Sequence, residues 1–276
     1  MREAQPGQPG TLTGRPEFRI IYTMIGSPGL SISVFAQAAQ LLGMEALRRY
    51  FRLEVHGPER IPTHGPVVVV ANHSGIAGLD ALLLRHEIGR LTGRDARILA
   101  HRAWFAVGRG RGSRLPRNLG LVEAGMPQAM SVLREDRVLI VFPEAENGNF
   151  KPSREAYRLR EFRPAFVRMA AEVGAPILPV AVRGAEEAHM NLASLELPPN
   201  GGVSLLPIPL NLVPLPSKWS FRFLDHVVPP GREPAREKTT IRDIAAEIRT
   251  DIGATLDEMP RGNAAGDRPR AASHSR

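Results

Sequence analysis

The sequence predicts an α/β fold in which helices pack on a sheet of about seven strands. Two observations carry this prediction. Short apolar runs rich in β-branched or aromatic residues recur along the chain, and segments with helical apolar spacing lie between them. Alternation of this kind is typical of helices packed on a sheet. The most apolar run, Val67–Ala71, lies between Pro66 and Asn72 and predicts a strand that is covered on both faces.

The predicted elements follow one another through most of the chain. The strands are 53–56, 67–71, 97–100, 119–122, 138–142, 177–182 and 220–224. The helices are 79–91, 127–135, 162–173 and 240–259, and the last has an apolar stripe from Ile241 to Leu256. Because a chain of 276 residues can bury one substantial core, we predict one domain over residues 53–259.

The segments outside this domain have other compositions. The compositions of residues 1–17 and 260–276 predict flexible ends, and no secretory signal is evident at the start. Residues 18–52 predict a helical element, in which a Gly-Ser-Pro-Gly break argues against a membrane-spanning helix. After the break, an apolar stripe ends among arginines, as in a helix lying on an anionic membrane surface. A helix packed on its own domain is the alternative.

Charge and cysteine content limit the classes of function. The formal net charge is +8, nearly all basic residues are arginines, and such a balance favours anionic partners. The chain contains no cysteine, which excludes disulfides, thiolate metal sites and a cysteine nucleophile. A cytoplasmic location is the most natural one for such a chain.

A histidine and an acid follow the second predicted strand, where open α/β sheets bind ligands. His73 can take a proton from an alcohol, and Asp80 can orient the imidazole. In a regular helix the two side chains would stand about 10 Å apart. Gly75 and Gly78 allow a compact loop that closes this distance. Alternatively, Asp80 only caps the following helix, and His73 is an ordinary loop histidine.

A second acid follows the strand at 138–142. Pro143 ends that strand, so that Glu144 lies just beyond a strand end, as His73 does. A carboxylate in this place can accept hydrogen bonds from a polyol or stabilise a loop. A solvated turn glutamate is the alternative.

These segments together resemble the glycerolipid acyltransferase family typified by lysophosphatidic acid acyltransferase. The likeness rests on ANHSG with Asp80, on VFPEAENGNFKPSREAYRL and on GAPILPVAVRGAEEA, and extends from about residue 50 to residue 226. The resemblance implies a mixed, largely parallel sheet preceded by a membrane-associating helical element. It also implies that His73 is the general base, that Asp80 orients it, and that Phe142, Pro143 and Glu144 bind the acceptor.

The resemblance further implies an O-acyltransferase of glycerolipid and phospholipid synthesis, peripheral on the cytoplasmic face of a membrane. Its co-substrate would be acyl-CoA or an acyl carrier protein thioester, its acceptor a lipid or another alcohol, and it would need no bound cofactor, metal or nucleic acid. The backbone at Ser74 and Gly75 is the expected oxyanion site. Direct transfer needs no acyl-enzyme, although Ser74 keeps a covalent route open.

The chain departs from the family pattern in three places. Six residues instead of four separate His73 from Asp80, as in the monoacylglycerol acyltransferase-like branch, and Ala145 replaces the last glycine of FPEG. The arginine that usually grips the acceptor phosphate is missing, which favours a neutral glycerolipid or another alcohol.

Other basic residues could bind a phosphate instead. The cluster of Lys151, Arg154 and Arg158 follows Glu144 directly. A second group, on a glycine-containing loop, comprises Arg109, Arg111, Arg114 and Arg117. The alternatives to an enzyme of this family are a catalytically silent lipid- or RNA-binding protein and a metal-dependent phosphoesterase.

Overall fold

The computed structural model describes residues 32–74, 78–106, 114–196 and 205–260, with side chains described over 39–74, 78–105, 116–196 and 205–260. The chain divides into two units, residues 1–46 and 47–276. Helix α1 (Ile32–Tyr50) is the described element of the N-terminal part. The second unit holds the sheet.

Seven strands form one mixed sheet. They are β1 (Glu54–His56), β2 (Val67–Ala71), β3 (Ala96–Ala100), β4 (Leu121–Glu123), β5 (Val138–Val141), β6 (Ile177–Arg183) and β9 (Ser220–Phe223). Their order in the sheet is β1-β9-β6-β2-β5-β3-β4. From β6 to β4 all neighbours are parallel, whereas β9 pairs with β6 antiparallel and with β1 parallel. This arrangement confirms the predicted mixed, largely parallel sheet of seven strands.

The helices are α2 (Leu79–Thr92), α3 (Ala103–Ala106), α4 (Arg114–Asn118), α5 (Met126–Arg134), α6 (Ala145–Asn149), α7 (Ala165–Val173), α8 (Ala185–Ala188) and α9 (Lys238–Glu258). Single turns of 3₁₀-helix occur at Pro58–Arg60, Ser153–Glu155 and Pro234–Arg236. Helix α7 begins at Ala165, three residues later than predicted, because Pro164 occupies its N-terminal cap position.

Helices cover both faces of the sheet. Val68 and Val70 of β2 point into a core shared with α5, α7 and α9. Val67 and Val69 point the other way, into a core that includes α2, Phe51 and Trp219. Successive strand residues alternate between the faces, so the unbroken apolar run of β2 is buried on both sides, as predicted.

A second, two-stranded sheet is absent from the sequence prediction. It pairs β7 (Asn191–Glu196) with β8 (Leu205–Pro209) in antiparallel register. Pro207 and Pro209 lie within β8, and prolines argue against a strand unless it lies at an edge. Both strands of a two-stranded sheet are edges, which explains why the prolines are tolerated and the prediction failed.

The predicted N-terminal membrane element corresponds in part to α1. Among the residues that the structure describes, no helix is both long enough and apolar enough to cross a membrane. The interfacial role of residues 18–52 stays a prediction. The ends predicted to be flexible lie outside the described residues, except for Pro260.

Candidate active site

The adjacent strands β2, β5 and β6 end at the same edge of the sheet and present polar residues there. His73 and Ser74 follow β2, Glu144 follows β5, and Glu186 follows β6. This is the edge at which open α/β sheets bind ligands. The site is therefore built from three strand ends that are far apart in sequence and adjacent in space.

His73 and Asp80 form a hydrogen-bonded pair. His73 Nδ1 lies 2.7 Å from Asp80 Oδ2, and the Asp80 side chain is fully buried whereas the His73 side chain is 16% exposed. Because Asp80 accepts the Nδ1 proton, the other ring nitrogen, Nε2, is left to accept a proton. The six intervening residues are compatible with the pairing, and Gly78 adopts a positive φ of 62° just before α2. Gly75 lies outside the described residues.

Backbone amides hold the Asp80 carboxylate in place. Ser74 N–H donates to Oδ2 at 2.9 Å, and Ala81 N–H donates to Oδ1 at 2.8 Å. Asp80 therefore binds the imidazole and also satisfies an amide in the first turn of α2. Gly78, not Asp80, occupies the N-terminal cap position of α2, and Asp80 lies within the first turn of this helix. Because Ser74 N–H already donates to Asp80, this amide is not available to an oxyanion, and the oxyanion role of the neighbouring backbone stays a prediction.

Asn72 fixes the start of this loop to the sheet. Its side-chain Nδ2 donates to Val182 O at 2.9 Å, and Val182 N–H donates to its Oδ1 at 2.8 Å. The side-chain amide thus replaces a backbone amide and extends the β2–β6 ladder by one residue. His73 follows directly on this anchor.

The Phe142-Pro143-Glu144 segment supports His73 from β5. The Phe142 and His73 rings lie 4.3 Å apart between centroids. Glu144, almost fully buried, accepts a bond from His73 N–H at 3.2 Å with one oxygen and from Arg160 N–H at 2.7 Å with the other. Pro143 O accepts a bond from Arg163 N–H. In this geometry the segment positions the base, and its predicted contact with the acceptor stays a prediction.

The turn after Glu144 is tightly packed. Ala145 has a positive φ of 51°, so the conformation that favours glycine is kept although the glycine is absent. At Gly148 a Cβ would lie 2.5 Å from Glu144 Cβ, so a larger residue would displace the buried carboxylate. The departure at Ala145 therefore leaves the turn intact.

The predicted phosphate cluster does not converge on one point. The Lys151 ammonium is buried 2.9 Å from Glu186, whereas the side chain of Arg154 is 71% exposed and Arg158 is also exposed. Burial raises the pKa of Glu186, and the Lys151 charge opposes that rise. Lys151 is thus already neutralised by a partner. Phosphate binding by the cluster stays a prediction.

A small cleft lies beside Ser74. Its polar lining includes Ser74, Asn149, Lys151, Glu186, His189 and Asn191. Sequence reasoning missed Asn149, Glu186, His189 and Asn191. Glu186 had a usable signal, because it is an acid just beyond a strand end. Asn191 had none, because it reaches the cleft from the unpredicted β7.

Two other predictions concern ligands. Arg109 and Arg111 lie outside the described residues, the side chain of Arg114 is not described, and Arg117 is exposed. Within the described ranges, no group of three or more His, Asp or Glu side chains is arranged to hold a metal ion.

Three comparisons relate the chain to known proteins. The model of the Acyltransferase family matches residues 52–183, which include every predicted catalytic and acceptor-binding residue. Curated relatives are uncharacterized proteins of Mycobacterium tuberculosis, 35% identical over 64% of this chain and 52% of the relative, and of Mycobacterium leprae, 34% identical over 64% and 51%. This chain therefore spans about half the length of these relatives.

A solved structure shares the fold. The 1-acyl-sn-glycerophosphate (LPA) acyltransferase PlsC from Thermotoga maritima is 18% identical and matches with a TM-score of 0.51 over 88% of both chains. The region matched by the family model, 132 of 276 residues, is slightly less than half of the chain, and at 18% identity the solved structure shows a shared fold alone.

Proposed function

We propose that this chain is a member of the glycerolipid acyltransferase family and that it moves a fatty acyl group from an acyl thioester to an alcohol. The observation that carries the proposal is the 2.7 Å contact between His73 Nδ1 and the buried Asp80 carboxylate. It occurs at the carboxyl ends of parallel strands, within the region matched by the family model. The spacing of six residues, which departs from the common pattern, is no obstacle to this contact.

The reaction needs one base and no covalent intermediate. His73 Nε2 accepts the proton of the acceptor hydroxyl while that oxygen attacks the thioester carbonyl carbon. The carbon–sulfur bond then breaks, and the leaving thiolate takes the proton back from the imidazolium. Asp80 keeps the imidazole oriented and stabilises its positive charge during the transfer.

The remaining contacts preorganise this base. Asn72 fixes the backbone just before His73, Glu144 accepts the His73 amide, and the Phe142 ring packs beside the imidazole. Holding a base within a few tenths of an ångström of its working position lowers the barrier without any new contact to substrate. Among the alternatives, this support favours an active enzyme over a silent binding protein.

The identities of the substrates belong to the same proposal. The donor is acyl-CoA or an acyl carrier protein thioester, and the acceptor is a glycerolipid or related alcohol. The protein works peripherally at the cytoplasmic face of a membrane, where both lipid substrates are found. We expect no bound cofactor and no nucleic-acid partner.

An acceptor panel tests the proposal. The purified full-length chain is incubated with radiolabelled palmitoyl-CoA and with glycerol, monoacylglycerol, lysophosphatidic acid or a long-chain alcohol. We expect a labelled ester with at least one acceptor and release of CoA in equal amount. Release of CoA without an ester in any reaction would indicate a thioesterase and contradict the proposal, as would no reaction with either acyl-CoA or acyl carrier protein thioesters.

A further inference from the structure

The cleft beside Ser74 contains polar atoms without partners. Ser74 Oγ, Asn149 Oδ1 and Asn191 Oδ1 are buried and have no hydrogen-bond partner in the part of the chain that the structure describes. The Ser74 and Asn191 residues are 2% and 6% exposed. Burying a polar atom without a partner destabilises the protein, so a ligand or water that pairs with these atoms is favoured.

The orientation of Asn191 is set by its neighbours. Its Nδ2 donates to Phe150 O at 2.7 Å and lies 3.2 Å from Lys151 O. These carbonyl oxygens accept bonds only, so the amide nitrogen must face them and the amide oxygen must face away. The cleft therefore offers an acceptor at Asn191 that calls for a donor on the ligand.

The cleft is close to electrically neutral. The Lys151 ammonium is paired with Glu186 at 2.9 Å, and burial lowers the pKa of His189, which favours its uncharged form. A phosphate brings negative charge and mainly accepting oxygens, which fit poorly against the Asn191 amide oxygen. A hydroxyl brings a donor and an acceptor without charge.

We infer that this cleft binds a hydroxyl of the acceptor adjacent to the hydroxyl that is acylated. Ser74 directly follows His73, so a vicinal diol can present one hydroxyl to the imidazole and its neighbour to the cleft. There the second hydroxyl donates its one proton to Asn191 Oδ1 and accepts bonds from the Ser74 hydroxyl and from the Asn149 amide, turned so that its nitrogen faces the ligand. The inference rests on the proposed function and adds a preference for uncharged glycerol esters over simple alcohols. The cleft is a binding site for the acceptor, separate from the proton-transfer pair.

Ser74→Ala is a clean test, because it removes only the unpartnered hydroxyl and keeps the amide that binds Asp80. We compare kcat/KM for 1-monopalmitoylglycerol with that for hexadecanol, using the full chain and palmitoyl-CoA. The preference for the diol should fall about tenfold, the value of one hydrogen bond to an uncharged group. Asn149→Ala, a second variant, should lower it similarly. Ser131→Ala, at an exposed serine of α5, is the control and should leave the preference unchanged.

The possible outcomes separate this inference from the proposed function. If the wild type acylates alcohols but neither Ser74→Ala nor Asn149→Ala changes the preference, the cleft holds only water and the inference is wrong. If lysophosphatidic acid is preferred over monopalmitoylglycerol, the argument from neutrality is wrong. If no alcohol is acylated, the proposed function fails and this inference fails with it.

The hairpin of β7 and β8 supplies an independent observation. It exposes large apolar side chains, and Leu195 and Leu206, which pair across the strands, are 51% and 48% exposed. The exposed set continues along the segment that follows, where Leu212 is 83% and Val213 is 76% exposed. From residue 190 to residue 217 the sequence has one charged residue, Glu196. Contiguous apolar surface of this kind marks an interaction site.

Exposed arginines border this apolar segment. Arg154 follows Ser153, whose hydroxyl accepts a bond from Asn191 N–H at the start of β7. Arg52, also exposed, lies two residues from Tyr50, whose hydroxyl donates to Pro214 O at 2.7 Å. Apolar side chains between cationic ones are complementary to the surface of an anionic bilayer.

We propose that the β7–β8 hairpin and the segment to residue 215 dock on an anionic lipid bilayer. The occupant is an anionic bilayer because exposed arginines border the exposed apolar side chains, and such a surface is complementary to anionic lipid.

Vesicle partition at high salt tests the docking, because salt screens the electrostatic attraction and leaves the apolar part. The full chain is mixed with phosphatidylglycerol–phosphatidylcholine vesicles. Leu195→Ser with Leu206→Ser should lower the partition coefficient about tenfold or more, since both substitutions replace an apolar side chain that would enter the bilayer with a polar one. Leu212→Ser should lower it less. The control is Val228→Ser, which should leave the partition coefficient unchanged. Val228 is an 82% exposed apolar residue next to Val227, which forms a bridge with Ile177 at the amino end of β6.

Two results would overturn the docking proposal. One is equal partition of the double variant, Leu212→Ser and the wild type. The other is a loss of oligomeric mass in the double variant with vesicle binding unchanged, which would assign the surface to a second copy of the chain. Circular dichroism verifies that the variants are folded.

Discussion

Asp80 uses one carboxylate for two purposes. Its Oδ2 accepts bonds from the His73 imidazole and from Ser74 N–H, while Oδ1 accepts a bond from Ala81 N–H. All three partners donate, so the site requires a side chain that only accepts. Its full burial keeps water from competing for these bonds.

This requirement predicts the effect of Asp80→Asn. The amide matches the carboxylate in shape, but its NH₂ group must face a donor, either the imidazole or a backbone N–H. We expect kcat/KM for acyl transfer to fall about 10²- to 10⁴-fold, the range typical of losing general base catalysis. Initial rates with labelled acyl-CoA measure this. A variant with wild-type rates would show that orientation by Asp80 is dispensable.

Ala145 offers a test of backbone strain. Its φ of 51° destabilises the folded state of an alanine by about 1–2 kcal/mol. A glycine avoids this strain, but its greater conformational freedom in the unfolded chain offsets part of the gain. We expect Ala145→Gly to raise the free energy of unfolding by about 0.5–1 kcal/mol, measured by denaturant titration. Ala156 has a φ of −50° and is the matched control. Ala156→Gly should destabilise, and equal effects of the two changes would contradict the strain argument.

At the scale of residues, candidate catalytic side chains can be recognised in the sequence more readily than the partners of buried ion pairs. His73, Asp80 and Glu144 are recognisable because they follow strand ends, and the structure brings all three together. The pairing of Lys151 with Glu186 is not recognisable, since 34 residues and several elements separate the two. An ion pair of this kind depends on the path of the intervening chain, which local patterns do not determine.

At the scale of elements, the Lys151–Glu186 pair connects the segment after α6 to α8. Lys151 also approaches Arg158 O at 3.4 Å, and Glu186 accepts a bond from Tyr157 N–H at 3.0 Å. The pair thus holds the chain beyond Glu144 against the end of β6. It stabilises the wall of the cleft from both sides.

Breaking this pair should be costly. Lys151→Met leaves a buried carboxylate without its counter-ion and should lower the free energy of unfolding by about 3–5 kcal/mol. Adding Glu186→Gln removes the stranded charge and keeps the acceptor for Tyr157, so the double variant should recover most of the loss. Denaturant titration of both variants provides the measurement. Equal stability of the single and double variants would contradict a buried ion pair.

The same pair predicts a pH dependence. Burial raises the pKa of Glu186 above its unfolded value. A carboxyl with a raised folded pKa favours folding most below its unfolded pKa, and that contribution is lost as pH rises through the folded pKa. Loss of the Lys151 charge raises the pKa of Glu186 further. In acid Glu186 is protonated with or without Lys151, so the decrease in the free energy of unfolding caused by Lys151→Met should be smaller there. Unfolding titrations of variant and wild type along a pH series measure it, and a penalty that grows in acid would contradict this sign.

The elements themselves were largely predictable. The central strands β2, β5 and β6 have clear apolar runs because helices bury them on both faces. The β7–β8 hairpin lacks this signal, since its leucines are exposed and its prolines argue against strands. Local patterning reflects burial in the chain's own core and fails where apolar side chains are exposed.

At the scale of the whole molecule, charge and apolar surface should act together. The chain carries a net charge of +8, and β7–β8 and the segment to residue 215 expose apolar side chains. Binding to anionic vesicles should therefore weaken as salt rises without vanishing, because salt screens only the electrostatic part. Cosedimentation over a salt series measures this. Complete release at high salt would contradict an apolar contribution, and no binding at low salt would contradict membrane association altogether.

The central claim is that His73 is the general base of an acyl transfer. It is tested most directly by the initial rate of labelled acyl transfer by purified wild type and His73→Ala, with thermal unfolding of both measured in parallel. We predict that the variant keeps its fold and that its rate falls about 10²- to 10⁴-fold. A folded His73→Ala variant that transfers acyl groups at the wild-type rate would contradict the account.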